Sequence, residues 1–407
     1  MKIAIYVPSW PPGSVANGIV TYASHLVPAL RELGHEVFIL TPNCVGECDR
    51  FTVDLRSVSF SQPLLSRIRS RIFPHQYIFE VPAMRIAAAV QALKNEHQID
   101  VFEIEESFGW GAAVARLNIV PLVVRLHGPA FLTARFGNRG DAARYAQKVR
   151  REGLGIEAAT LVTSPSQAAL TEVKRHYNIK LENSRVIPNP SDASANTATW
   201  HLDQSTINRI LYVGRFDELK GGDLVLRAFG KLAEQYPNLR LTFVGPDAGI
   251  QDNDGRNYSF QQFVGQHLPI SASSRIDYLG KISQAEVMSL RPKHLFTIVA
   301  SRFEMFPYAV LEAMSVGSPV VASNVGGVPE LISHRHNGLL FASQNVAELS
   351  ESCRSLLDNP LLAKALGSQA KRDCTTSFNS HRIAIEMANA YQAAVDVFTS
   401  SAAGGSA

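Results

Sequence analysis

The feature that most constrains this chain of 407 residues is a regular alternation of short apolar segments with longer helical patterns. The apolar segments form two series. The first is KIAIYV, EVFIL, DVFEI, PLVVRL and TLVTS, and the second is RILYVG, LRLTFVG, IDYLG, LFTIV and PVVAS. Short apolar runs separated by helices are typical of parallel sheets built from βαβ units. The pattern therefore predicts an α/β protein.

The two series are separated by a polar segment, PNPSDASANTATWHLDQS, whose Pro, Ser, Asn and Thr content is typical of a domain linker. Each half opens with a strand, a glycine-containing turn and a helix, which predicts two doubly wound domains rather than one enlarged sheet. The predicted organisation is a first domain at 1–190, a linker at 191–206, a second domain at 207–377, a C-terminal helix at 378–398 that packs back on the first domain, and a disordered tail at 399–407.

Composition narrows the class of protein. With 46% hydrophobic and 18% charged residues the chain is predicted to be globular, and its net charge of +3 is too weak to indicate nucleic-acid binding. The apolar run before Pro8 is too short for a signal peptide, and no segment reaches membrane-spanning length, so we expect a cytoplasmic protein. The 4 cysteines are predicted to be ordinary thiols, because Cys44 and Cys48 lack a second pair that would complete a zinc site.

Two glutamates occur in the stretch SRFEMFPYAVLEAM, which follows the apolar run LFTIVA. Glu304 is predicted to lie in a strand-to-helix turn, with Pro307 as the first residue of the helix. Glu312 follows in a helix that is apolar on nearly every side, where a bare carboxylate is costly. Either a ligand such as a ribose diol donates hydrogen bonds to it, or it lies at the solvent edge of the helix. The segment alone leaves both readings open.

Two further turns have the composition of ligand sites. RFDELKGGD follows the strand RILYVG and places Arg215 and Lys220 beside the start of a helix, where cations and backbone N–H groups can bind an anion. A solvated loop has the same composition. In SNVGGVPELI, Gly326 and Gly327 indicate close backbone approach to a ligand or, equally, an ordinary turn.

Taken together, VGRFDELKGGD, LGKIS and SRFEMFPYAVLEAMSVGSPVVASNVGGVPELI resemble the family-4 retaining glycosyltransferases. The likeness continues, more loosely, in PPGSVANGIVTYASHLVPALRELGHEV and PLVVRLHGP, and so covers essentially the whole chain. It implies the GT-B fold, in which two Rossmann-like, doubly wound parallel-sheet domains face a central cleft. It also implies retaining transfer of a sugar from a UDP- or GDP-sugar donor to a hydroxyl of a glycan or lipid-linked acceptor.

The resemblance implies catalytic roles for Glu304, His127, Arg215 and Lys220. Glu304 would face the donor sugar, and His127 would contact sugar hydroxyls near the reacting carbon. Arg215 and Lys220 would bind the donor diphosphate and stabilise the charge that grows on it, so no metal and no cofactor are expected. Glu312 would hold the ribose of the nucleotide.

Other donor contacts implied by the resemblance lie largely on the backbone. They are Gly280, Lys281 and Ile282 at the base, Met305, Phe306 and Pro307 after the first glutamate, Gly326 and Gly327 on the sugar or phosphate side, and Asn17 and Gly18 in the N-terminal turn. Asn17 stands where the family commonly has the first glycine of a pair. Met305 stands where the family often has a small residue, so the dimensions of its donor pocket do not transfer directly.

Acceptor binding has weaker sequence signals. Glu105 and Glu106 follow DVFEI at a predicted strand end, where they would either bind acceptor hydroxyls or face solvent. Two basic stretches, PLLSRIRSRIF and residues 135–151, are compatible with peripheral contact at the inner face of an anionic membrane. Ordinary solvated helices have the same composition.

Three other functions compete with sugar transfer as interpretations of the sequence. A nucleotide-sugar epimerase of the same fold would release an isomerised sugar without an acceptor, and a scaffold would bind nucleotide-sugar or glycan without catalysis. A dinucleotide oxidoreductase is disfavoured because no G-x-G-x-x-G follows the first strand of either half. The sequence DND at Asp252 imitates a metal-binding Asp-x-Asp, but it lies in a polar loop without the structural context of such a site.

Overall fold

The computed structural model describes residues 1–12, 17–46, 48–60, 74–136, 141–192, 199–252 and 254–404, without the side chains of 74–78 and 402–404. The chain forms two compact units. The first comprises Met1–Ala134, Asn138–Pro190 and Ser380–Ala407, and the second comprises Arg135–Gly137 and Ser191–Asn379.

The first unit is built on a seven-stranded sheet in which all neighbouring strands are parallel, in the order β3-β2-β1-β4-β5-β6-β7. Its strands are β1 Lys2–Tyr6, β2 Glu36–Thr41, β3 Thr52–Asp54, β4 Val101–Glu105, β5 Leu122–Arg125, β6 Leu161–Ser164 and β7 Ser184–Val186. The first helices of the unit are α1 Gly18–Glu32, α2 Pro74–His97, α3 Gly111–Ala115, α4 Ala130–Thr133, α5 Ala142–Glu157 and α6 Gln167–Tyr177. Strands β4, β5 and β6 are buried along their whole length, so the charged side chains of Glu103 and Arg125 within them are buried as well.

The second unit has a six-stranded parallel sheet, ordered β12-β9-β8-β13-β14-β15, and a separate hairpin of β10 and β11. Its strands are β8 Arg209–Val213, β9 Arg240–Val244, β10 Ile250–Gln251, β11 Asn257–Tyr258, β12 Ile276–Gly280, β13 Phe296–Val299, β14 Val320–Ser323 and β15 Leu339–Phe341. Its helices are α7 Gly222–Gln235, α8 Phe260–His267, α9 Ile270–Ser273, α10 Gln284–Leu290, α11 Tyr308–Val316, α12 Val346–Asp358 and α13 Pro360–Ser377. The predicted fold class, two doubly wound parallel-sheet domains, is confirmed.

The predicted linker at 191–206 is in part a core segment of the second unit. Trp200 is only 6% exposed and packs in the main hydrophobic cluster of that unit. Its indole N–H donates to the carbonyl of His294 at 2.8 Å, and its backbone N–H donates to the carbonyl of Val316 at 2.8 Å. A tryptophan buries a large apolar area when its N–H finds a partner, and Leu202 in the same segment packs against the same cluster. Residues 193–198 lie outside the described part of the chain.

The last helix, α14, spans Ser380–Gly404 and belongs to the first unit. Tyr391 at its centre is fully buried, and its hydroxyl donates to the Glu103 carboxylate at 2.8 Å. The prediction of disorder from residue 399 is wrong up to Gly404. The hydroxyls of Thr399 and Ser401 donate to the carbonyls one turn earlier, so these polar residues continue the helix. Residues 405–407 are not described.

The structure bears on two predictions from composition, the state of the cysteines and the absence of a membrane-spanning segment. Cys353 and Cys374 are free and buried, as expected, but Cys44 and Cys48 are joined in a disulfide, so the prediction of ordinary thiols is wrong for that pair. In the described part of the chain, every helix is too short or too polar to cross a membrane.

Candidate functional site

The second unit brings two loops together where its strand order reverses. Strands β8 and β13 are neighbours, although β9 and β12 lie between them in the sequence. The loop after β8 carries Arg215 and Lys220, and the loop after β13 carries Glu304. Ligands of doubly wound sheets bind outside the carboxyl ends of the strands at such a reversal. These three residues therefore lie where the architecture favours a ligand.

Lys220 and Glu304 are in direct contact. The Lys220 Nζ lies 2.6 Å from Glu304 Oε1, and the Ser301 hydroxyl donates to the same oxygen at 2.6 Å. The two charged side chains are 31% and 12% exposed. The pair is partly shielded from water, and the lysine keeps an accessible face for an anion.

Two glycines hold these loops against the sheet. Gly221 has φ +69°, and a Cβ added to it would lie 2.0 Å from the carbonyl oxygen of Ala300. Gly326 has φ +50°, and its Cβ would lie 1.9 Å from the carbonyl oxygen of Glu304, which also accepts the N–H of Gly327 at 3.0 Å. The close backbone approach predicted at Gly326 is therefore an approach to the backbone of Glu304. Only glycine permits that spacing.

The loop carrying the two cations has supports that the sequence did not reveal. The Asp217 carboxylate accepts the backbone N–H of Lys220 at 2.7 Å and pairs with Arg215 at 2.7 Å. The buried Tyr212 hydroxyl lies 2.9 Å from the carbonyl of Lys220 and 3.2 Å from that of Arg215. Burial, reinforced by nearby carboxylates, raises the pKa of Tyr212 well above its usual value, so the hydroxyl keeps its proton and donates.

Glu312 is neither bare nor fully buried. Its side chain is 17% exposed, and its Oε2 lies 2.6 Å from a guanidinium nitrogen of Arg291, whose side chain is 0% exposed. The Gln284 amide donates to the other carboxylate oxygen at 3.1 Å. Arg291 therefore explains a carboxylate in this apolar helix without any ligand, and the ribose-binding role stays a prediction. The signal available in the sequence was an arginine, Arg291, that lies five residues before the buried strand β13.

The predicted base-binding positions lie at the end of β12. Gly280 has φ +61° with open space around its Cβ position, and its carbonyl accepts the N–H of Gly245 at 2.8 Å. Lys281 is exposed, whereas the Ile282 side chain packs against the buried cluster of Leu211, Val244 and Val287. A ligand here would meet the backbone and the lysine.

The residues after Glu304 turn inward. The side chains of Met305 and Phe306 are 6% and 5% exposed, Pro307 is buried, and the Phe306 ring packs edge to face on Phe378 with centroids 5.7 Å apart. Donor contacts predicted for these residues are therefore restricted to their backbone.

In the first unit, His127 lies two residues beyond β5, as predicted. Its ring packs edge to face against the buried Tyr22 ring, with centroids 5.0 Å apart. Burial and the neighbouring Arg125 guanidinium lower the pKa of His127 well below its usual value. The imidazole is therefore neutral near pH 7, with one nitrogen that donates and one that accepts a hydrogen bond.

Glu105 and Glu106 are buried, with exposures of 6% and 2%, so the solvent-facing reading is wrong. Glu106 accepts the backbone N–H of His127 at 2.8 Å and that of Gly128 at 2.6 Å, one on each oxygen. Glu105 accepts the backbone N–H of Ser107. The structure thus gives both carboxylates backbone partners, and acceptor binding by them stays an untested prediction.

A group of buried carboxylates surrounds Glu106. Burial, followed by repulsion from Glu105 and Glu152, raises the pKa of Glu106 to about 8, although its backbone hydrogen bonds act in the opposite direction. Burial raises the pKa of Glu152 to about 7. The folded protein therefore holds protons on these groups that an unfolded chain would release.

This proton binding predicts a pH-dependent effect of Glu106→Gln on stability. Because the folded-state pKa is raised from 4.5, the contribution of Glu106 to stability is largest at low pH and falls as the pH rises towards about 8. The amide cannot ionise. The free energy of unfolding of the variant, minus that of the wild type, is expected to rise from about pH 5 to about pH 8 in urea titrations. If the free energies of unfolding of the variant and the wild type changed with pH in parallel, the pKa of Glu106 would not be raised in the folded protein.

Two residues that the sequence singled out, Asn17 and Asp252, have local structural roles. Asn17 caps α1 by accepting the N–H of Ile19 at 2.8 Å, and Gly18 is the first helical residue. Asp252 is a turn residue that accepts the N–H groups of Asp254 and Arg256.

Among the described residues, no group of three or more His, Cys, Asp or Glu side chains is arranged to hold a metal. The basic stretch with Arg67, Arg69 and Arg71 lies outside the described residues.

Two family models match the chain on either side of the predicted linker. Residues 16–195 match Glycosyltransferase Family 4, and residues 201–373 match Glycosyl transferases group 1. The chain belongs to the family-4 glycosyltransferases of the GT-B fold. The resemblance seen in the sequence is confirmed, and the chain is a glycosyltransferase.

Three relatives illustrate the family. A glycogen synthase of Mycobacterium tuberculosis is 24% identical over 416 residues, which cover 97% of this chain and 95% of that protein. The structure of sucrose-phosphate synthase from Thermosynechococcus elongatus has a TM-score of 0.74 at 21% identity and covers 96% of this chain and 98% of that one. Anabaena HepE, solved with UDP-glucose, has a TM-score of 0.65 at 19% identity and covers 96% and 98%. The two solved structures show the shared fold alone.

Proposed function

We propose that this glycosyltransferase moves a sugar from a UDP- or GDP-sugar to a hydroxyl of a glycan or lipid-linked acceptor, with retention at the anomeric carbon and without a metal or other cofactor. The observation that carries the proposal is the contact of Lys220 with Glu304 at the carboxyl ends of β8 and β13. Residues separated by 84 positions in the chain meet where a doubly wound sheet binds ligands.

In the proposed reaction, two cationic side chains stabilise the negative charge of the leaving diphosphate. Arg215 and Lys220 bind the donor diphosphate and stabilise the negative charge that develops as its bond to the anomeric carbon breaks. Two fixed cations of this kind can take the place of a metal at the leaving group. His127, neutral near pH 7, hydrogen-bonds donor-sugar hydroxyls, and Glu312 holds the ribose.

Retention is proposed to follow from attack on the face that the diphosphate leaves. The bond from the anomeric carbon to the phosphate oxygen breaks, the bond to the acceptor oxygen forms, and the departing phosphate takes the acceptor proton. Glu304 is held by Lys220 and Ser301 and is assigned to the donor sugar rather than to covalent catalysis. A covalent glycosyl adduct trapped on Glu304 would overturn this assignment.

UDP-glucose is the first donor to test, because the HepE structure contains it. The proposal includes a role in polysaccharide biosynthesis, which is a common setting for relatives of this kind. A cytoplasmic location and peripheral membrane contact remain predictions from the sequence.

The proposal is tested by calorimetry and turnover with UDP, GDP, ADP, dTDP and their glucose or mannose derivatives, each with and without EDTA. We expect one nucleotide class to bind, with binding and turnover unchanged by EDTA. Loss of turnover in EDTA, restored by a divalent metal, would contradict metal independence. An isomerised sugar formed without acceptor would favour the epimerase, and binding without turnover of any donor would favour the scaffold.

A further inference from the structure

The segment from His127 to Ala130, directly beyond β5, has all of its backbone donors bound to carboxylates. Glu106 accepts the N–H of His127 at 2.8 Å and that of Gly128 at 2.6 Å. Pro129 has no N–H, and the next donor, that of Ala130, binds Glu152 Oε2 at 2.8 Å. The path of the backbone that carries His127 is therefore set by two side chains.

These two carboxylates come from separate elements of the first unit. Glu106 follows β4 directly and is 2% exposed, whereas Glu152 lies on α5 and is 1% exposed. Lys148, one turn before Glu152, lies 3.7 Å from its other oxygen. A buried carboxylate is costly unless it accepts hydrogen bonds, and a buried N–H is costly unless it donates one. Each group therefore satisfies the other, and the loop is held from two sides.

The hydrogen bonds of this backbone segment also restrict the orientation of the His127 imidazole ring. A carboxylate that accepts two successive N–H groups, one on each oxygen, restricts the backbone torsions between them and thus the direction of the His127 side chain. The Tyr22 ring, 5.0 Å away, then limits the rotation of the imidazole. The ring is positioned in advance of any ligand, which is the condition for an effective contact with a reacting substrate.

We propose that Glu106 and Glu152 are positioning residues for glycosyl transfer, acting by holding the backbone of the His127 loop. The inference rests on the proposed function, because it takes His127 as a contact of the donor sugar. It assigns to Glu106 a role different from acceptor binding. It also gives a function to Glu152, which no sequence motif singled out.

The experiment compares full-length Glu106→Gln and Glu152→Met with the control Asp100→Asn. Asp100 precedes β4 and also accepts a backbone N–H, that of Lys2 at 2.7 Å, but at the opposite end of the sheet. Amide hydrogen exchange is measured without ligand, and kcat and donor KM are measured by turnover. A glutamine offers one acceptor oxygen in place of two, so Glu106→Gln leaves a backbone N–H without its partner.

We expect Glu106→Gln to speed amide exchange at His127 and Gly128 by about tenfold and to lower kcat by about tenfold, the effect of leaving one backbone N–H without its hydrogen-bond acceptor. Donor KM should stay close to that of the control, because a merely structural role would lower stability without separating kcat from KM. Glu152→Met removes the acceptor of the Ala130 N–H, so it should speed exchange at Ala130 and supplies the same test if Glu106→Gln does not fold.

Unchanged exchange in both variants would overturn the inference, as would faster exchange with unchanged kcat. If the wild type transfers no sugar from any donor and exchange is still faster in the variants, the anchoring of the loop is supported and the proposed function fails instead.

Discussion

Lys220→Ala is expected to lower kcat for sugar transfer by about a hundredfold to a thousandfold, the usual effect of removing one preorganised group from a developing charge. Lys220 is the cation that contacts Glu304 at the end of β8, and its removal leaves the departing diphosphate with Arg215 alone. The loss should appear in kcat at saturating donor, because the charge to be stabilised grows during bond breaking. Turnover of the donor selected by the binding panel, in EDTA, is the measurement.

The matched control is Lys231→Ala. Lys231 lies on the helix that the Lys220 turn leads into, α7, and is exposed. Its replacement should leave kcat and KM unchanged. Activity of Lys220→Ala within about threefold of wild type would contradict the role given to this lysine, since that corresponds to less than about 1 kcal/mol of transition-state stabilisation.

Glu312→Ala is expected to destabilise the protein by about 3–5 kcal/mol, because it leaves the fully buried Arg291 without its partner. It should also weaken nucleotide binding through loss of the ribose contact. The two effects must be separated, since partial unfolding alone would lower the apparent affinity. Urea unfolding gives the first quantity, and calorimetry with the bound nucleotide gives the second.

A double variant separates them. Arg291→Met with Glu312→Leu removes both charges, and such replacements of a buried ion pair are often close to neutral for stability. The double variant should therefore recover most of the stability lost in Glu312→Ala while nucleotide binding stays weak. Wild-type affinity in the double variant would exclude the ribose role, and unchanged stability in Glu312→Ala would show that Arg291 finds another partner.

The sheets were predictable because parallel βαβ units impose a strong pattern on the chain. Strand β5 is buried on both faces, and its first three residues, Leu122 to Val124, form an apolar run in the sequence. Placing Lys220 and Glu304 at strand ends followed from the same pattern, and their common role came from the family resemblance. The contact between Lys220 and Glu304 depends on which strands are neighbours in the sheet. The residues around each strand do not show that order.

The missed features share a physical cause, which is that polar groups are satisfied by partners distant in sequence. The carboxylate of Glu312 is explained by Arg291, and Glu106 is explained by backbone N–H groups 21 and 22 residues away. Hydrophobic periodicity reports which face of an element is buried and does not identify the hydrogen-bond partner of a buried charge. The linker prediction failed at Trp200 for a related reason, because one large side chain outweighed a polar neighbourhood.

The proposed reaction cleaves a nucleotide-sugar with retention and without a metal. It is tested most directly by following the acceptor-free cleavage of an α-linked nucleotide-sugar donor by NMR in the presence of EDTA, with Lys220→Ala as the inactive control. The sugar is expected to be released first as the α anomer, before mutarotation mixes the two forms. First release of the β anomer, or release only after a divalent metal is added, would contradict it.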